Sequence, residues 1–79
     1  MPTIETVEGI KMNIYFNHHL PPHIQALYNE FEVLIEIETK SIYAGSIPAR
    51  QLRKVKAWLR ENEQEALGIF YEFNENLRP

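Results

Sequence analysis

Apolar residues recur at every second position in the first half of this chain and at every third or fourth position in the second half. That change of period is the strongest constraint on the fold. A two-residue period describes a strand with one buried face, and a 3.6-residue period describes a helix with one buried stripe. From Ile10 to Phe16, Ile10, Met12, Ile14 and Phe16 alternate with Lys11, Asn13 and Tyr15. From Phe31 to Glu38, Phe31, Val33, Ile35 and Ile37 alternate with Glu32, Leu34, Glu36 and Glu38. The same alternation puts the glutamates on the wet side of a sheet. Weaker strands are expected at Thr3 to Val7, turning through Glu8-Gly9, and at His23 to Tyr28, turning through Asn29-Glu30. Glycine and asparagine tolerate the positive φ of such tight turns. Ser41 to Ala44 closes an antiparallel meander of about five short strands.

Beyond Gly45 the pattern turns helical. Ser46-Ile47-Pro48 opens a helix, since proline fits a first turn whose N–H has no partner anyway. Leu52, Val55, Trp58 and Leu59 form its apolar side, while Arg50, Arg53, Lys54 and Arg60 point elsewhere. Asn62 followed by Glu65 has the spacing of a capping box and predicts the start of a second helix. Ala66, Phe70, Phe73 and Leu77 then recur at helical intervals, with Gly68 as a mark of close packing or a bend. The expected fold class is α+β, the meander followed by two antiparallel helices packed on the sheet face bearing Ile10, Met12, Val33 and Ile35.

Seventy-nine residues form one domain, 1–79, with a thin core that draws on nine aromatic residues. The absence of cysteine excludes disulfides and thiolate metal sites and fits a reducing compartment. The start, Met1-Pro2-Thr3-Ile4-Glu5, has neither a basic stretch nor an apolar run, and no segment is apolar for long enough to span a bilayer. A cytoplasmic location is expected. No P-loop, dinucleotide fingerprint, nucleophile elbow or zinc finger is present, so no cofactor is expected. Net charge is -3, but five of the eight basic residues fall between Arg50 and Arg60, and every acidic residue is a glutamate. The basic group, Arg50, Arg53, Lys54 and Arg60, is a candidate nucleic-acid surface. A plainer reading has the acidic sheet face and the basic helix pairing with each other.

One segment belongs to neither pattern: Asn17-His18-His19-Leu20-Pro21-Pro22-His23-Ile24-Gln25. It holds all three histidines around a Pro-Pro pair that stiffens the connection and opposes regular pairing. Imidazole is the usual neutral metal ligand and the side chain most readily protonated near neutral pH. His18, His19 and His23 are therefore candidate metal ligands for a hydrolase or nuclease. His19, Pro21, Pro22 and His23, with Tyr15 and Tyr28, are the candidate binding surface. Tyr15, Tyr43 and Leu34 fall on the glutamate face, where clustering would mark a partner surface, and an uncovered edge strand offers another.

Met1-Pro2-Thr3-Ile4, Gly9-Ile10, Ile14-Tyr15-Phe16-Asn17, His19, Pro21-Pro22-His23-Ile24, Ala26 and Tyr28 resemble the small bacterial family called domain of unknown function 4160. The resemblance continues through Ile35-Glu36-Ile37-Glu38-Thr39, Gly45, Ile47-Pro48, Arg50, Val55 and Trp58. It implies no established activity. It implies instead a short operon-borne protein with a small protein partner encoded beside it, in some members of toxin–antitoxin type. Members usually read Asp-His-x-Pro-Pro-His-x-His across the turn. Here His18 stands at the aspartate position and Gln25 at the last histidine position. The resemblance therefore implies one carboxylate and one imidazole fewer than usual, and favours a non-enzymatic interaction module over catalysis.

Overall fold

The computed structural model describes residues 3–15 and 20–79. Tight reversals set the sheet order. Glu8 (φ 49°) and Gly9 (φ 82°) both take the left-handed conformation that a two-residue hairpin of type I′ requires, and Asn29 (φ 52°) does so at the next reversal but one. Sequence order and sheet order consequently coincide in an antiparallel five-stranded sheet: β1 (Thr3–Val7), β2 (Ile10–Asn13), β3 (His23–Tyr28), β4 (Phe31–Glu36) and β5 (Ile42–Ser46). Met12 pairs with Ala26 and Ala26 with Val33, while Ile24 pairs with Ile35. These side chains and Ile10 share one face and are buried.

A single helix, α1 (Ala49–Phe73), covers that face and is followed by a short 3-10 turn, Glu75–Leu77. The expectation of two antiparallel helices is overturned. Asn62 does leave helical geometry (φ −124°, ψ 23°), but it kinks one helix and does not reverse the chain. The reason lies in the phase of the apolar stripe. Val55, Leu59, Ala66 and Phe70 are the buried residues of α1, and their spacing of four, seven and four keeps them on one side across the kink. A helix whose buried stripe continues unbroken gains nothing by turning back. The Asn62 Nδ2 group donates to the Trp58 carbonyl at 2.9 Å, which compensates a backbone group at the break. Gly68 is not where the helix bends, and a Cβ placed there would meet nothing within 4 Å.

The strands end earlier or later than the period alone suggests. β2 stops at Asn13, β4 stops at Glu36, and β5 is displaced to Ile42–Ser46. Beyond Glu36 the chain reverses with Lys40 at φ 62° and its N–H donating to the Glu36 carbonyl at 3.0 Å. Both edge strands carry a register shift, between Thr3 and Glu5 in β1 and opposite Leu34 and Ile35 in β5. Irregular edges of this kind oppose the addition of a further strand. Charge pairing also departs from the expected form: the described ion pairs are Glu8 with Lys54 and Lys40 with Glu63. Among the described residues none joins the glutamates of β4 to the basic part of α1. Among the described residues no helix is long and apolar enough to cross a membrane.

Candidate interaction site at the Pro-Pro-His end of the sheet

The residues between Leu20 and His23 form a hydrogen-bonded corner. The Leu20–Pro21 peptide is cis, and the Pro22 carbonyl accepts a hydrogen bond from the Ile37 N–H at 2.9 Å. Proline lacks a donor but keeps its acceptor, so the pairing of β3 with β4 extends past His23 through an acceptor that proline retains. His23 follows at 3% exposure, with Nδ1 2.8 Å from the Pro21 carbonyl oxygen. A carbonyl only accepts, so Nδ1 carries the hydrogen and any ligation or proton transfer by this ring falls to Nε2. The ring stacks on Tyr43 of β5 (centroids 5.6 Å apart, planes 20° apart) and lies against Phe70 of α1 (5.7 Å, 55°). His23 is therefore a packed junction of turn, edge strand and helix.

The helix end is tied to the same corner by a residue that carries no obvious signal. Asn74 is 1% exposed, and its Nδ2 donates to the Tyr15 carbonyl at 3.0 Å and the Phe70 carbonyl at 2.9 Å. One amide thus satisfies a helix-terminal carbonyl and the backbone just past β2. Asparagine near a helix end is a C-terminal signal, but the apolar period that runs on to Leu77 hides it in the sequence. Asn74→Ala leaves both carbonyls short of a donor in a buried place. The expected loss is about 2 kcal/mol of folding stability, read from urea unfolding, and no loss would show that water replaces the amide.

On the uncovered face, polar side chains form a directed chain across four strands. Thr3 Oγ1 donates to Asn13 Oδ1 at 2.8 Å, and Asn13 Nδ2 donates to Gln25 Oε1 at 3.1 Å. The Tyr15 hydroxyl also donates to Gln25 Oε1, and Gln25 Nε2 donates to Glu32. Gln25 is the hub because an amide accepts at one end and donates at the other. Tyr15 and Leu34 flank Gln25, whereas Tyr43 stacks on His23.

Of the residues singled out above, Tyr15, Pro21, Pro22 and His23 meet at one end of the sheet. Tyr28 lies five residues further along β3, about 17 Å away at 3.4 Å per residue, beside the Asn29-Glu30 turn. His18 and His19 lie outside the described residues, and so does the greater part of the proposed metal set. Among the described residues no group of three potential ligands is placed to hold a metal ion. Arg50, Arg53 and Arg60 are exposed on α1, and Lys54 pairs with Glu8.

Among the described residues the exposed large hydrophobic ones are Leu20 (51%), Ile42 (45%) and Tyr43 (44%). All three belong to the Pro-Pro-His end: Leu20 precedes Pro21, Ile42 pairs with Ile35, itself paired with Ile24 next to His23, and Tyr43 stacks on His23. Glu36 pairs with His23 across the same end, and Glu38 is exposed in the adjoining turn.

A family model described as Domain of unknown function (DUF4160) matches residues 9–70. No curated protein and no solved structure matches the chain.

Proposed function

We propose that this chain, which belongs to the DUF4160 family, is a non-enzymatic interaction module whose docking surface is the Leu20, Ile42 and Tyr43 corner. The observation that carries the reading is that the large apolar residues exposed among the described residues all lie at this end of the sheet, with Tyr43 stacked on the buried His23. Apolar anchors on a packed support lose little side-chain freedom on binding, which is what an interface centre requires. The register shifts in β1 and β5 make strand addition the poorer route, so side chains carry the contact. Glu36 and Glu38 beside the corner favour a partner that presents basic side chains around an apolar centre. The partner class follows from what the family resemblance implies, a small product of the neighbouring reading frame in a toxin–antitoxin-like pair.

Co-expression with the product of the neighbouring reading frame tests this. The expected result is a complex that co-elutes in size exclusion at micromolar concentration. Ile42→Glu with Leu20→Glu should weaken it at least tenfold while folding stability changes by less than about 0.5 kcal/mol, since both side chains are exposed. Separate elution of the two wild-type proteins contradicts the reading.

A further inference from the structure

The first turns of α1 concentrate a charge that the fold does not use. Between Ala49 and Arg60 stand Arg50, Arg53, Lys54, Lys56 and Arg60 with no acid, in a chain whose net charge is -3. Arg50 and Arg53, Arg50 and Lys54, Arg53 and Lys56, and Lys56 and Arg60 are each three or four residues apart. Residues at that spacing are neighbours on a helix surface, and like charges there destabilise it. Arg50 also stands in the first turn, which holds no acidic residue and where the helix dipole disfavours a base. Internal pairing does not offset these costs. Lys54 is bound to Glu8, but among the described residues no acid pairs with Arg50, Arg53, Lys56 or Arg60.

These free bases share a direction. At about 100° per residue, Arg60, Arg53, Ala57 and Arg50 fall within an arc of about 80°, opposite the buried Val55 and Leu59, with Lys56 about 40° further round. Arg50, Arg53 and Arg60 are exposed. All of them precede the break in helical geometry at Asn62, so one regular segment carries the face, and Glu61 closes it. Glu32 and Glu36 alternate with the buried Val33 and Ile35 of β4 and so lie on the sheet face turned away from the helix. Positive charge on one side and negative on the other turns the helix toward a polyanion during approach.

The face also narrows what that polyanion is. It carries no aromatic side chain on which an unpaired base could stack, since Trp58 lies about 80° round from Arg50 and packs against the core. Arg50 and Arg60 are about 15 Å apart along the axis, the length of about four base-pair steps. A helix about 10–12 Å across suits the B-form major groove, about 12 Å wide, whereas the major groove of duplex RNA is too narrow to admit it. We propose that the outer face of α1 docks in the major groove of duplex DNA, with Arg50, Arg53, Lys56 and Arg60 on the phosphates that border it. The site shares no residue with the apolar corner, which meets α1 at its other end through Phe70.

Fluorescence anisotropy of the full chain with a short mixed-sequence duplex, titrated from low to physiological salt, tests it. Binding should be saturable at low salt and fall with a log–log slope of about -3, as three or four phosphate contacts require. Arg50→Gln with Arg53→Gln should weaken it at least tenfold and reduce the slope by about 2. Both side chains are exposed and their charges repel, so the double variant stays folded. Lys11→Gln with Arg78→Gln removes the same charge from exposed positions outside the face and should change affinity less than twofold. No binding at low salt overturns the proposal, as does equal weakening by the two double variants. Single-stranded DNA, duplex RNA or a polyglutamate peptide bound as tightly as duplex DNA overturns it too. None of these outcomes bears on the apolar corner, which co-elution with the neighbouring product tests separately.

Discussion

Phe70→Ala should cost about 3–5 kcal/mol of folding stability, the largest loss expected from any single truncation here. Phe70 heads the fully buried side chains by volume. Its ring lies against His23 at 5.7 Å and edge-on to Tyr71 at 5.6 Å. The truncation therefore opens a cavity where helix, turn and sheet meet, and a hydrogen-bonded corner has little means to collapse into it. A domain of this size has about 4–12 kcal/mol in total, so the variant sits near the limit of folding. Urea unfolding gives the loss, and the His23 ring resonances should move with it because their aromatic neighbour is gone. A loss below about 1 kcal/mol would mean that the helix does not clamp the corner.

Gly45→Ala should be nearly as damaging, for a backbone reason. Gly45 has φ 80°, and a Cβ there would overlap the Glu32 carbonyl group and lie 3.2 Å from the Val33 Cα. The conflict is with main chain of the paired strand, which cannot rotate aside. Conformational strain and displacement of β5 together should cost about 2–3 kcal/mol. Gly9→Ala is the control: φ is 82° there too, but the nearest atom is Tyr28 Cε1 at 3.9 Å. It should cost only about 1 kcal/mol. Equal losses at the two positions would show that strain alone, and not the close approach of β4, holds Gly45.

The contrast between these glycines also shows what can be read from residue order. The β1 and β3 limits follow from alternation and turn residues, because hairpin contacts are local and each turn needs a positive φ at a fixed place. The single helix was less legible. Asn62 and Glu65 have the spacing of a helix start, but capping chemistry is worth only about 1 kcal/mol, and the continuous burial of Val55, Leu59, Ala66 and Phe70 outweighs it. The four-seven-four spacing was present in the residues as a signal against a reversal.

The candidate site divides in the same manner. The Pro-Pro-His turn stands out because it belongs to neither period, and the structure makes it a packed corner. The partners of His23 do not follow from local order. Tyr43 lies twenty residues along the chain, and Phe70, on α1, lies forty-seven residues along it. The β4–β5 register shift, which pairs Ile35 with Ile42 and passes over Tyr43, is likewise not written in the alternation. Asn74 binds the Tyr15 carbonyl 59 residues away, a contact set by tertiary structure alone.

The central claim is that the apolar corner beside the Pro-Pro-His turn is where a partner docks. Backbone amide chemical-shift mapping on the complex with the co-expressed neighbouring product measures this residue by residue. The account predicts the largest perturbations at Leu20, His23, Ile42 and Tyr43, with Tyr28 and the outer face of α1 little changed. Perturbations concentrated on the arginines of α1 or around Gln25, with Leu20 and Ile42 unmoved, would contradict it.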